Sequence, residues 1–214
     1  MKFIQTTLLI AAFFFSLEAS DFEDAVASYS KSNYVQALNS FYVLAKNGDA
    51  DAQFNVAMIY AQGKGVKPDM SQAMEWYEKS AKSGNANAAY NLAEIYVHMD
   101  ESNPQRYESA IRWYTLAGKN GVPQAYNNLA ALYQAGEGVK QNRKKAFIYF
   151  KKAAEGGSSS GQLNLALIYG WGPNIIKDTE KAYLYLNKAS ASGKKEAERY
   201  IKKLCKEEPD VCKK

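Results

Sequence analysis

The sequence predicts an all-α fold of tandem helix pairs, and three observations lead there. Tyr60, Tyr96, Tyr133 and Tyr169 recur at spacings of 36, 37 and 36 residues, and Asn55, Asn91, Asn128 and Asn164 keep the same spacings. Ala73, Ala110, Ala146 and Ala182 repeat with the same period one register later, while Gly48, Gly84, Gly121, Gly157 and Gly193 extend the series to five. Within each period, apolar residues fall at helical spacing on two successive stripes. Several residue types sharing one period mark a stacked repeat, in which each helix pair buries its apolar face only against its neighbours.

The chain opens with Lys2 and an apolar run from Leu8 to Phe15, followed by Leu17-Glu18-Ala19. That pattern predicts an export signal over residues 1–19, too short for the ~20 apolar residues of a membrane span. Residues 20–49 read as a shorter, tetratricopeptide-like helix pair, with a turn at Lys31-Ser32-Asn33 and an apolar stripe of Tyr34, Ala37, Phe41 and Ala45.

Four full repeats are expected at 50–85, 86–121, 122–157 and 158–193. In the first, Ala52, Val56, Ile59 and Tyr60 share one helix, and Ala73, Trp76, Tyr77 and Ala81 share the next. Asp69 with Gln72 suits a capping box at the start of the second helix, and Gly84 suits its left-handed termination. Gly63 and Gly65 in the connecting loop match Gly136 and Gly138, and in the last repeat Gly172 and Asn174, for which left-handed turns are expected. The second repeat departs. Its loop, His98 to Pro104, lacks glycine, and Asn103-Pro104 predicts an early start for the following helix. Finally, residues 194–214 read as a capping helix with the stripe Ala197, Tyr200, Ile201 and Leu204, followed by a short tail.

Composition and charge narrow the chemistry. The chain is 47% hydrophobic and 23% charged, with a formal net charge of +5. That mild excess suits a solvated surface better than a nucleic-acid interface, and none is expected. The two cysteines, Cys205 and Cys212, would pair as a staple in an oxidising compartment, worth roughly 2.5 kcal/mol in the chain-entropy model. A lone histidine, His98, makes neither a metal site nor a triad, so no metal and no cofactor are expected. Ser28-Tyr29-Ser30-Lys31, Ser192-Gly193-Lys194-Lys195 and Lys82-Ser83-Gly84 contain short β-lactamase-like patterns, but they fall at helix ends and turns that the repeat already explains. Trp76-Tyr77 and Trp113-Tyr114, answered by Tyr149-Phe150 and Tyr185-Leu186, recur too regularly to be other than core. No catalytic residue is assigned.

The strings AQFNVAMIYAQGKGV, AYNNLAALYQAGEGV and AMEWYEKSAKSGNA resemble Sel-one-like repeats (SLR), relatives of the tetratricopeptide repeat. The resemblance covers residues 50–193. It implies a right-handed α/α superhelix, a solenoid that organises other proteins into complexes. Cysteine-rich secreted relatives have been linked to penicillin binding and β-lactamase activity, which is the alternative function. They carry a cysteine pair in each repeat, whereas here no repeat contains one.

The expected role is therefore an exported, periplasmic or secreted scaffold for an unknown protein or peptide. The resemblance places the first helix of each pair along the groove, with Asn55, Asn91, Asn128 and Asn164 one turn before the repeat tyrosines. An asparagine amide offers a donor and an acceptor to a peptide bond. The same residues could instead tie neighbouring repeats together, and both readings stand. Phe54, Tyr90, Asn127 and Leu163 precede the asparagines, and Met58, Glu94, Ala131 and Leu167 follow by three, varying as specificity positions would.

Overall fold

A computed structural model describes residues 21–100, 103, 105–173 and 177–213. The expected export signal at 1–19, together with Pro104 and Asn174, lies outside the described residues. Among those described there is no strand. The elements are α1 (residues 21–30), α2 (Tyr34–Lys46), α3 (Ala50–Gln62), α4 (Met70–Lys82), α5 (Ala86–Val97), α6 (Arg106–Lys119), α7 (Pro123–Ala135), α8 (Arg143–Glu155), α9 (Ser159–Trp171), α10 (Thr179–Ala191), α11 (Lys195–Glu207) and a 3-10 turn (Pro209–Cys212). The chain divides into two compact units, the first ending at Leu92 and the second starting at Ala93.

In the first unit α2 packs on α3 and α3 on α4. Ala52, Val56, Ala57 and Ile59 of α3 are buried, as are Ala73, Trp76, Tyr77 and Ala81 of α4. In the second unit each helix from α6 to α11 packs on the next, and α7 also reaches α9. Small residues at the crossings let the helices approach closely: Ala110, Ala117, Ala125, Ala130, Ala146, Ala153, Ala166 and Ala182 are at most 2% exposed. Trp113, Tyr114, Phe150 and Leu186 are buried as core, whereas Tyr149 and Tyr185 keep their rings half-exposed.

Two backbone devices recur. Each turn from a second helix to the next first helix closes with a hydrogen bond spanning five residues. Asp49, Asn85, Val122, Ser158 and Lys194 donate to Leu44, Ser80, Ala117, Ala153 and Ala189. The glycine one place before each donor takes positive φ, from 83° at Gly193 to 103° at Gly84. This is the closure expected after a helix ending in a left-handed glycine. The longer loops close on the repeat tyrosine instead: Asp69, Asn142 and Asp178 donate their backbone N–H to the carbonyls of Tyr60, Tyr133 and Tyr169 at 3.0, 2.8 and 3.0 Å. The same three residues cap α4, α8 and α10 with their side chains.

The second loop glycine has a packing reason as well. A Cβ on Gly65 would sit 2.8 Å from Cβ of Tyr34, and one on Gly138 would overlap Cβ of Tyr107. Each loop thus rests its backbone on the first turn of the preceding second helix.

Two expectations are corrected. Gly172 is extended, with φ −71° and ψ 139°, because Pro173 follows and disfavours other conformations before it. The helix after Asn103 does start early, by one register relative to α4, α8 and α10, but Asn103 is not its cap. Its side chain accepts from the Gln105 N–H in an Asx turn, and α6 begins at Arg106. Arg106 occupies the register where the other repeats place Asp69, Asn142 and Asp178, so the capping side chain is missing. Its guanidinium instead donates to the Met99 carbonyl at 2.7 Å and stacks on Tyr107.

Candidate functional site

The candidate face is formed by the first helices, and in each unit it is built around the repeat asparagines. On α3, Asn55 donates to the carbonyl of Asp51 in its own helix at 2.8 Å. Phe54 and Met58 flank it half-exposed, and the Phe54 ring meets Tyr77 at 5.7 Å between centroids. Asn91 donates to the Tyr77 hydroxyl at 3.4 Å, with Tyr90 half-buried beside it. Burial raises the Tyr77 hydroxyl above the ordinary phenol range, so it stays protonated at neutral pH.

The second unit holds the more developed arrangement. Asn128 on α7 donates to Glu94 Oε1 at 2.7 Å and to the Tyr114 hydroxyl at 3.2 Å. Tyr114, itself buried, donates to the same Glu94 oxygen. One carboxylate oxygen therefore gathers two donors from two helices, and Asn128 points its amide nitrogen at the Glu94–Tyr114 pair. His98 is exposed, with Nε2 3.9 Å from the other Glu94 oxygen. Asn127 donates to Asn128 Oδ1 at 3.2 Å, and its own Oδ1 accepts from Asn164 at 2.9 Å. Leu163 is only 4% exposed and packs with Ala166, Ala182 and Leu186, so it belongs to the core and not to the face.

These bonds follow one rule. Asn91, Asn128 and Asn164 each reach back to the preceding helix pair, so the series ties repeats within each unit. Sequence reading placed the asparagines on one face but could not find their acceptors, which lie 14 to 37 residues away. It also missed a second tie, at the start of the first helices. Asn85 donates to Asp51 Oδ1 at 2.7 Å, and in the second unit Lys194 donates to the Ser160 hydroxyl at 3.0 Å. Residues left half-exposed or exposed on the face are Phe54, Met58 and Tyr90 in the first unit, and Asn127, Ala131 and Leu167 in the second.

Among the described residues no group of three His, Cys, Asp or Glu side chains could hold a metal ion, and no helix is long and apolar enough to cross a membrane. Cys205 and Cys212 form a disulfide, joining α11 to the 3-10 turn.

The Sel1 repeat profile matches residues 50–85, 86–122, 123–158 and 159–194. The chain belongs to the Sel1 repeat family. Its fold class is accordingly the α/α solenoid of that family. A protective antigen of uropathogenic Escherichia coli strains with an SLR fold is 31% identical, with a TM-score of 0.72, over 81% of this chain and 37% of that one. This chain thus spans little more than a third of the antigen's length. A Sel1 repeat protein from Oxalobacter formigenes is 26% identical, with a TM-score of 0.73, over 85% of this chain and 74% of that one. An immunity protein from Pseudomonas aeruginosa, at 20% identity and a TM-score of 0.51, shares the fold alone. No match was found among curated proteins. Sel1 repeats are scaffolds typical of protein–protein interaction.

Proposed function

We propose that this Sel1 repeat chain is an exported scaffold that binds a protein or peptide segment across the exposed parts of its first-helix faces. The observation that carries the reading is a division of labour. Buried positions such as Ala52, Ala88, Ala125 and Gly161 stay small from repeat to repeat, while their half-exposed neighbours vary in chemistry. Phe54, Tyr90 and Asn127 share one register, and Met58, Glu94, Ala131 and Leu167 share another. A surface that changes while its scaffold does not is how a repeat protein sets specificity. The asparagines serve this face indirectly, by fixing the helices that present it. The apolar run at Leu8 to Phe15 supports export, and the disulfide is compatible with an oxidising compartment.

The experiment is a crosslinking pull-down from the cell envelope with wild type and two folded variants, Met58→Glu and Ala131→Glu, followed by reconstitution of the recovered pair from purified components. A partner that binds wild type and loses at least about tenfold in affinity to either variant supports the face. A reconstituted partner that binds both variants as tightly as wild type removes the first-helix face from the mechanism.

A further inference from the structure

The second helices of the last two repeats carry a shared surface pattern that the first-helix face does not use. α8 reads Lys145-Ala146-Phe147-Ile148-Tyr149-Phe150-Lys151-Lys152, and α10 reads Lys181-Ala182-Tyr183-Leu184-Tyr185-Leu186-Asn187-Lys188. At matching registers Ile148 is 51% exposed and Leu184 48% exposed, where α4 and α6 present Glu75 and Arg112. Each exposed aliphatic stands between two lysines one helical turn away. Lys145 lies 5.0 Å over the Tyr133 ring, and Lys152 5.7 Å over Tyr149. Lys181 lies 5.3 Å over Tyr169, and Lys188 5.3 Å over Tyr185. The rings engage these ammonium groups by cation–π contact, and Lys181 also pairs with Asp178 at 2.8 Å.

A cavity opens beside each aliphatic. The one at Ile148, about 670 Å³, is walled by Phe147, Ile148, Ile168 and Pro173, with the exposed cations Arg143 and Lys144 at its edge. The one at Leu184, about 290 Å³, is walled by Tyr183, Leu184, Asn187 and Val211, with Glu180 beside it. Phe147-Ile148 and Tyr183-Leu184 occupy the same register, but Lys144 at the first cavity is answered by Glu180 at the second. The 3-10 turn that supplies Val211 is fixed by the Cys205–Cys212 disulfide.

Charge selects the occupant. α8 carries five basic residues and one acidic residue, Glu155. Residues 93–214 hold twenty Lys and Arg against thirteen Asp and Glu, whereas residues 21–92 hold six against eight. The cationic rim of the Ile148 cavity, Arg143 and Lys144, complements an acidic segment bearing a large apolar side chain, with the charges steering encounter and the cavity supplying the anchor. The Leu184 cavity, in contrast, has Glu180 in its lining and no cation. A bilayer surface would satisfy the lysines but would leave the Ile148 cavity without an inserted side chain.

We propose that the exposed face of α8 docks an acidic polypeptide segment, which inserts one large apolar side chain beside Ile148. This surface is separate from the first-helix face of the second unit and stands without it.

The test is selection of random peptides, about a dozen residues long, on the full disulfide-bonded chain, with thermal melts confirming that each variant is folded. The expected result is enrichment of peptides rich in Asp and Glu that also carry Phe, Leu or Trp. A synthetic copy should bind at least about tenfold more weakly to Ile148→Ser and to Lys144→Glu. It should lose affinity as salt rises from about 0.1 to about 1 M, and bind Leu184→Ser and Ala131→Glu unchanged. Enrichment of non-acidic peptides, no enrichment, or equal affinity for wild type and Ile148→Ser overturns the proposal. Failure of selection with Ile148-dependent sedimentation on phosphatidylglycerol vesicles would assign the face to a membrane instead. Because Ile148 of α8 lines the cavity and Ala131 of α7 does not, failure here and failure of the first-helix reading are distinguishable.

Discussion

Asn128 donates to Glu94 and Tyr114 together, and this decides what its removal does. Asn128→Ala leaves a half-buried carboxylate and a buried phenol short of a donor, at a cost of about 1–3 kcal/mol. Urea unfolding should show that loss whether or not a ligand is present. Asp178 illustrates a second residue-level effect. Its side chain accepts first from the Lys181 ammonium and then from the Lys181 backbone N–H, and both hold its carboxyl below the ordinary carboxylate range. A folded value below the unfolded one means the stabilisation is present above the ordinary carboxylate pKa and is lost as pH falls through the lowered value. Asp178→Ala should therefore cost about 1 kcal/mol at neutral pH, with the gap to wild type narrowing in acid, as measured by denaturant melts across pH. The identity of such residues was legible in the repeat, but their partners were not. Periodicity reports which residues share a face, and an acceptor 34 residues away depends on how two helix pairs dock.

At the scale of the element, the loops separate backbone strain from packing. Gly157 has φ +93° and open space where a Cβ would stand, so Gly157→Ala should cost only the left-handed penalty of about 1–2 kcal/mol. Gly138 has φ +68° and lies against both Cβ and backbone of Tyr107, so Gly138→Ala must also push the loop off α6. Its unfolding midpoint should fall clearly below that of Gly157→Ala, and equal midpoints would show that the loop seat has no energetic role. The helix pairs themselves were readable because glycine, proline and capping residues act locally. Where a local signal was overridden, a neighbour explains it. Pro173 reset Gly172, and Arg106, placed at a capping register, found the Met99 carbonyl instead.

At the scale of the whole molecule, stability in a stacked repeat is carried by interfaces between neighbours. Leu204 of α11 is fully buried with Ala182, Leu186 and Ala189 of α10 and with Leu163 and Ala166 of α9. Leu204→Ala should cost about 2–5 kcal/mol. Amide exchange should place that loss in α9, α10 and α11, with α3 and α4 protected as before. A uniform loss of protection from α3 to α11 would mean that the chain unfolds as one block. The capping role of α11 was visible in its apolar stripe, while the exposed aliphatics of α8 and α10 were hidden among core-like residues. Ile148 and Leu184 look like buried residues in sequence, and only the docking of their helices leaves them outside.

The five turn closures have a consequence for how such a gene can change length. Each needs only a backbone carbonyl, a glycine four places on and any N–H after it, as with Ala117, Gly121 and Val122. Splicing Gly121 directly to Ser158 would delete residues 122–157 and still give Ala117 its donor, now the one that serves Ala153. Unequal recombination at these glycine codons can thus add or drop a single repeat's worth of coding sequence without leaving a turn unclosed.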